Sequence, residues 1–187
     1  ALDANGDGSS FSILSGIQAI IEQVALTGRR SIVSMSLGGD RSNVLDNGVR
    51  TLMASNIVVV VAAGNENSDA SSYSPSNLGD NNEVICVGAS NVQDQRAYFS
   101  NYGSAVSLSA PGTSIISTWF TSNTATNILS GTSMSTPLVA GVTAILLQQD
   151  QSLTVAEGNA LIMSYSTKNI ITSASSSGNG KNLLYSL

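Results

Sequence analysis

The sequence predicts an α/β fold built on a mainly parallel sheet, and three observations carry that expectation. Ile57-Val58-Val59-Val60-Val61-Ala62 is an unbroken, largely β-branched run, the pattern of a strand buried on both faces. Ahead of it, Ser31-Ile32-Val33-Ser34-Met35-Ser36-Leu37 reads as a second strand. Between the two, Val44, Leu45, Val49, Leu52 and Met53 recur at helical spacing, as an inward face would. Strand, helix and strand at this spacing form a βαβ unit, whose two strands run parallel. With 187 residues and 42% apolar content the chain is long enough for a core of its own, and a single domain over residues 1–187 is expected.

Taken in order, Leu2-Asp3-Ala4-Asn5-Gly6-Asp7-Gly8 is a turn-rich opening that imitates the start of a calcium-binding EF-hand loop. Such a loop needs a bidentate glutamate at its twelfth position, which here is Leu14, and a helix before it; a loop leaving a strand is the reading kept. Ser12 reads as the cap of a helix that turns Ile13, Ile17, Ile20, Ile21 and Val24 inward and closes at Gly28. Gly38-Gly39 ends the first strand and Ser42 caps the next helix. After the β-branched run, residues 68–82 read as a polar loop and Val84-Ile85-Cys86-Val87-Gly88-Ala89 as another buried strand. On that strand Cys86, the only cysteine, suits a small core hydrophobe better than a reactive thiol. Thr154-Val155-Ala156-Glu157 is a capping box opening a helix with Ala160, Leu161 and Met163. Residues 173–180 form a Ser/Gly-rich loop, and Asn182-Leu183-Leu184-Tyr185 closes the chain as a strand or tail.

Composition narrows the function. A net charge of -5 and a pI near 4.4 argue against a nucleic-acid partner, which would want a basic stripe. No uninterrupted apolar run reaches the roughly eighteen residues of a membrane span. One cysteine permits neither an internal disulfide nor a cysteine metal cluster, and no metal or cofactor is expected. No Asn-x-Ser/Thr sequon occurs, so N-glycosylation is not expected. Histidine is absent, and histidine is the usual general base for activating a serine.

Ligands of open α/β sheets bind beyond the carboxyl ends of the strands, which directs attention to Ser36-Leu37-Gly38-Gly39 and to Ala62-Ala63-Gly64-Asn65-Glu66-Asn67. An asparagine just after a buried strand can aim its amide at an oxyanion, although Gly-Asn is also an ordinary turn. A third stretch, Ser130-Gly131-Thr132-Ser133-Met134-Ser135-Thr136-Pro137, leads into Leu138, Val139, Val142, Ile145 and Leu146. Pro137 is tolerated only near the start of a helix, so the helix begins close to Ser133. There the unpaired N–H groups and the macrodipole favour negative charge, which suits a nucleophile; a plain N-cap is the alternative.

The full motif around Ser133, with Leu138-Val139-Ala140-Gly141 after it, resembles the nucleophile segment of the subtilisin family of serine proteases, proteinase K-like branch. It departs from the family pattern at Ser135, normally alanine, and at Leu138, normally a histidine that is not the catalytic base. Ser36-Leu37-Gly38, Ala62-Ala63-Gly64-Asn65, Phe99-Ser100-Asn101-Tyr102-Gly103 and Ala110-Pro111-Gly112 match further family segments in the same order. An α/β-hydrolase elbow is a weaker match, because Ser135 stands at its last glycine position.

The resemblance implies a three-layer α/β/α subtilisin-like fold without its N-terminal part, and a serine endopeptidase acting on polypeptide. It implies Ser133 as nucleophile and Asn65 as oxyanion donor. Ser36, Leu37 and Gly38 would be a substrate-binding strand, Ala62, Ala63 and Gly64 a wall of the S1 pocket, and Gly6, Asp7 and Gly8 part of the substrate edge. Tyr98, Phe99 and Tyr102 would be packing residues. Ser107 stands where proteinase K-like members carry a calcium-binding aspartate. The family's aspartate and histidine lie in segments ahead of Leu2, so this chain is expected to need that N-terminal segment as its partner and to be inactive alone. A truncated pseudoprotease that binds peptides or proteins without cleaving them, or a purely structural fragment, are the alternatives. The resemblance alone implies a secreted or vacuolar location.

Overall fold

The computed structural model describes residues 1–3, 6–172 and 179–184. Its elements are α1 (Ser10–Thr27), β1 (Ile32–Met35), β2 (Gly39–Asp40), α2 (Asn43–Ala54), β3 (Val58–Ala62), β4 (Tyr73–Ser74), β5 (Ile85–Ser90), β6 (Leu108–Pro111), β7 (Ile115–Thr118), β8 (Thr126–Leu129), α3 (Thr132–Gln149) and α4 (Val155–Tyr165). β1, β3, β5 and β6 lie side by side in that order, every pair parallel. β2 pairs antiparallel with β4, and β7 with β8.

The β-branched run shows why the fold has three layers. Alternate side chains of a strand point to opposite faces, and along β3 Val59 and Val61 pack with Ile17 of α1 and Leu45, Val49 and Leu52 of α2. Val58 and Val60 instead pack with Val139, Leu146 and Leu147 of α3 and Ile162 of α4. Each of these four valines is 0% exposed, so both faces of the sheet are covered by helices. Burying such a side chain fully contributes about 1.5–3 kcal/mol, which makes β3 the strand around which both cores form.

Helix ends follow the capping residues with one shift. Gly28 takes a left-handed conformation and its N–H binds the Val24 carbonyl, ending α1 as expected. Ser42 caps α2 through the Leu45 N–H, and the Thr154/Glu157 box opens α4. The cap of α1, however, is Ser9, one turn ahead of Ser12: its hydroxyl accepts the Ser12 N–H at 3.1 Å. α1 is long and apolar enough to cross a membrane by length and composition alone. It carries Gln18, Glu22 and Gln23, and packs against α2 with Ile17 buried at the contact.

Several expectations need correction. Val44 is 55% exposed, so the inward face of α2 begins at Leu45. Tyr98 is 85% exposed, resting edge-on against Phe99 rather than filling the core. The segment after β3 is no simple polar loop. It holds 3-10 turns at Ala70–Ser72 and Ser76–Asn81 and is buried from Ser74 to Gly79, where polar side chains bond to the backbone and to one another. Ser76 Oγ donates to the Ala70 carbonyl at 2.8 Å and Asn77 Nδ2 to Asp46 Oδ2 at 2.9 Å.

Cys86 is fully buried on β5, and burial pushes its thiol pKa well above the ordinary range. Ser107 Oγ accepts the Cys86 N–H at 3.0 Å. The Ser/Gly-rich stretch lies outside the described residues through position 178, after which Asn179–Lys181 form a 3-10 turn. Leu183 bridges Ser109 and Thr167 without extending into a strand, and Tyr185 lies outside the described residues.

Candidate active site

The parallel sheet delivers two loops to the same end. Ser36 follows the carboxyl end of β1, and Gly64-Asn65 follow that of β3, so both emerge where α/β sheets bind ligands. The N-terminus of α3 meets them there. A cleft of about 460 Å³ at this place is lined by Gly6, Asp7 and Gly8, by Ser36, Leu37 and Gly38, by Ala62, Ala63, Gly64 and Asn65, and by Thr132 and Ser133. Every site residue picked from the sequence therefore borders one cavity. Its charged lining is acidic, from Asp7, Asp40 and Glu66, with no lysine or arginine among the lining residues.

Ser133 stands in the first turn of α3. Gly131, not Ser133, is the N-cap residue, and Ser133 Oγ has no hydrogen-bond partner among the described residues. Its carbonyl accepts a bond of 2.8 Å from Ser36 Oγ, tying the strand-end loop of β1 to the start of α3. Pro137 lies within the helix, early enough that its missing N–H leaves little of the ladder broken. One turn further in than Thr132, Thr136 Oγ1 donates to the Thr132 carbonyl at 2.8 Å. Ser135 explains its own departure from the family pattern. Its buried hydroxyl reaches the carbonyls of Ala110 at 3.0 Å and Pro111 at 3.2 Å, fastening α3 to the end of β6.

Asn65 is held by its oxygen. The Thr132 N–H donates to Asn65 Oδ1 at 2.9 Å, and Thr132 Oγ1 also donates to it at 3.1 Å while accepting the Gly64 N–H at 3.3 Å. A hydroxyl has one proton, and this arrangement uses it once. The amide is thereby oriented, with Nδ2 left unpartnered among the described residues and Asn65 exposed at the cleft. The positive φ angles of this loop belong to Gly64 (104°) and Asn67 (50°), on either side of Asn65, and not to Asn65 itself.

Two residues that sequence reasoning did not single out organise this loop. Thr132 is one, fully buried between Asn65 and Gly64. Asn101 is the other, 1% exposed, and its side chain spans the loop. Asn101 Oδ1 accepts the N–H groups of Glu66 at 3.1 Å and Ser68 at 3.0 Å, and Nδ2 donates to the Ala63 carbonyl at 2.9 Å and Glu66 Oε2 at 2.7 Å. Its own N–H donates to the Gly64 carbonyl at 3.0 Å. Gly64 has a φ of +104°, and a Cβ there would lie 2.3 Å from Asn101 Nδ2, so only glycine fits. The one signal for Asn101 was its place inside the Phe-Ser-Asn-Tyr-Gly run. Among the described residues no group of three or more His, Cys, Asp or Glu is placed to hold a metal ion.

A family model described as "Subtilase family" matches residues 1–182. The chain belongs to the subtilase family. It is 42% identical over 173 residues to an extracellular serine proteinase of Thermus sp. (strain Rt41A), covering 92% of this chain and 41% of that protein. It is also 42% identical over 175 residues to the alkaline serine protease ver112 of Corniculantispora psalliotae, covering 92% and 44%. A solved structure of a cold-adapted subtilisin-like serine proteinase matches with a TM-score of 0.88 and 37% identity, covering all of this chain and 65% of that one. The three-layer α/β/α architecture is thus the subtilisin-like one. This subtilase chain spans about two fifths of the length of the curated relatives it matches.

Proposed function

We propose that this chain carries the nucleophile and oxyanion side of a serine endopeptidase, completed by an Asp/His-bearing segment outside it. The observation that carries this reading is the fixed amide of Asn65. Its oxygen is taken by Thr132, the residue next to Ser133, so its Nδ2 donor is free at the cleft that Ser133 also borders. Family membership supports proteolysis as the chemistry, and the subtilase names of the relatives support a secreted protein, one of them being an extracellular proteinase.

In the proposed reaction a histidine of the completing segment takes the Ser133 proton as Oγ attacks the scissile carbonyl carbon. The carbonyl π electrons move to oxygen, and the resulting oxyanion accepts hydrogen bonds from Asn65 Nδ2 and from the Ser133 N–H. That N–H belongs to the first turn of α3, where no carbonyl one turn back within the helix can bind it. Collapse of the intermediate breaks the C–N bond, and the same histidine protonates the leaving amine. An acyl group remains on Ser133 until water, deprotonated by the histidine, releases it. The extended substrate lies between Ser36-Leu37-Gly38 on one side and Ala62-Ala63-Gly64 on the other, the latter forming one wall for the side chain ahead of the cut bond. Gly6, Asp7 and Gly8 border its far edge. No metal or cofactor takes part.

The test is labelling by a fluorophosphonate probe. The parent polypeptide carrying the Asp/His segment should be labelled at Ser133 and lose labelling in Ser133→Ala, while the chain of 187 residues alone reacts far more slowly. Labelling at equal rate by this chain alone would mean another base has been recruited. Binding of peptide without labelling in the parent would favour the pseudoprotease reading instead.

A further inference from the structure

The loop that carries Asn65 has little of its own to hold it. Asn65, Glu66 and Asn67 are exposed, and among the described residues the only bonds to the Asn65 side chain come from Thr132. What fixes the backbone on either side of Asn65 is Asn101. Its oxygen gathers the N–H groups of Glu66 and Ser68, and its nitrogen and backbone N–H take the carbonyls of Ala63 and Gly64. The Asn65 Cα is thus bracketed by bonds to residues before and after it, all from one buried residue.

The neighbours of Asn101 repeat the pattern. The Asn67 N–H donates to the Phe99 carbonyl at 2.8 Å, and the Tyr102 N–H to the Ser68 carbonyl at 3.0 Å. Arg96 donates to Asn67 Oδ1 at 2.9 Å and, through another nitrogen, to the Ser100 carbonyl, while its guanidinium lies 5.2 Å from the centre of the Tyr102 ring. Residues 96–102 therefore form a splint along the 64–68 loop, with Asn101 at its centre. A buried amide whose oxygen and nitrogen are both spent holding a neighbouring loop is well suited to preorganising that loop, since a fully satisfied network permits one arrangement only.

We propose that Asn101 is a positioning residue for the oxyanion donor: it holds Asn65 where its amide meets the developing charge, and it acts on the reaction through Asn65 alone. The proposal rests on the reading of Asn65 as that donor. A residue of this kind should affect kcat and leave KM nearly untouched, because the oxyanion exists in the transition state and not in the bound substrate.

A double-mutant cycle in the parent polypeptide with its Asp/His segment decides the matter. Asn65→Ala alone should lower kcat on the order of 100- to 1,000-fold. Asn101→Ala alone should lower kcat roughly 10- to 100-fold with KM within about 2-fold, a partial loss of the same stabilisation. Added to Asn65→Ala, Asn101→Ala should lower kcat less than about 3-fold further, because a contact that works through Asn65 has nothing left to act on. Equal fold-losses in the two backgrounds would overturn the proposal, as would an unchanged kcat in folded Asn101→Ala. Should Asn101→Ala fail to fold, the same cycle is read with Asn101→Ser, which stays uncharged and keeps a hydroxyl but is too short to span the loop from Ala63 to Ser68. An Asn65→Ala enzyme with full kcat would refute the assignment of Asn65 itself, a result distinct from additivity in the cycle.

Discussion

Thr132 gives both of its hydrogen-bond donors to one atom, Asn65 Oδ1, at 2.9 and 3.1 Å. The residue adjoining the proposed nucleophile thereby orients the proposed oxyanion donor from a position 67 residues away. Neither side chain can shift without disturbing the other.

Thr132→Val tests that coupling. It keeps the shape and the N–H bond, removes the hydroxyl bond to Asn65, and leaves the Gly64 N–H without its acceptor. With about 1 kcal/mol of the oxyanion stabilisation lost through the looser Asn65 amide, kcat should fall roughly 5-fold. Steady-state kinetics of the parent polypeptide with its Asp/His segment should find KM little changed. A KM effect with constant kcat would assign Thr132 to substrate binding.

Ser135→Ala restores the family's usual residue and is expected to be slightly destabilising here. The hydroxyl is buried and bonded to the Ala110 and Pro111 carbonyls, and losing those bonds costs about 1 kcal/mol. Urea unfolding followed by circular dichroism should move the midpoint down with an unchanged slope. A midpoint that rises would show that the cross-strap between α3 and β6 contributes nothing.

Arg50 grips Glu83 through two bonds, Nε to Oε2 at 2.7 Å and Nη2 to Oε1 at 3.1 Å. The Arg50 hydrogen bond holds the Glu83 carboxyl below its ordinary pKa of 4.5. A carboxylate depressed in the folded state stabilises above its unfolded pKa, and that contribution disappears as pH falls through the folded value. Glu83→Gln should therefore cost about 0.5–1 kcal/mol at pH 7 and match the parent sequence in strong acid, with the gap narrowing in 1 M salt. Thermal melts across pH 2–8 would reveal a constant gap if the ion pair were not its cause.

Cys86 should be silent in the native state. Its thiol is fully buried and its ionisation is opposed by desolvation, so thiol-disulfide exchange with an aromatic disulfide at pH 8 should proceed only at the rate of unfolding. Adding urea should release one equivalent promptly. Stoichiometric reaction in buffer alone would mean that β5 opens locally.

The layers of the fold were legible because they rest on local chemistry. Val58 through Val61 announce a strand with two buried faces, and Gly28, Ser42 and Thr154 end or begin helices by bonds made within one turn. Ser12 misled because Ser9, also a serine, stands a turn earlier, and a cap is chosen by backbone conformation as much as by residue type. The segment around Ser76 and Asn77 looked like surface because its composition is polar, whereas Ser76 Oγ and Asn77 Nδ2 are spent on internal bonds. The cleft residues stood out by motif. Thr132 and Asn101 stood inside such motifs, but their roles were not legible there, since the partners that define those roles lie 67 and 35 residues away.

No two neighbours of the four-stranded sheet are joined by a hairpin: all its pairs are parallel, so every one requires a long excursion of chain before its first inter-strand bond can form. Such topologies fold slowly, because the entropy of closing each loop is lost before any contact repays it. Ser36, Asn65 and Asn101 follow β1, β3 and β5, and Ser133 starts α3, after β6. During refolding, helical signal is therefore expected to return before the cleft is assembled, and in a polypeptide emerging from its ribosome Ser36, Asn65 and Ser133 meet only after the four strands have docked.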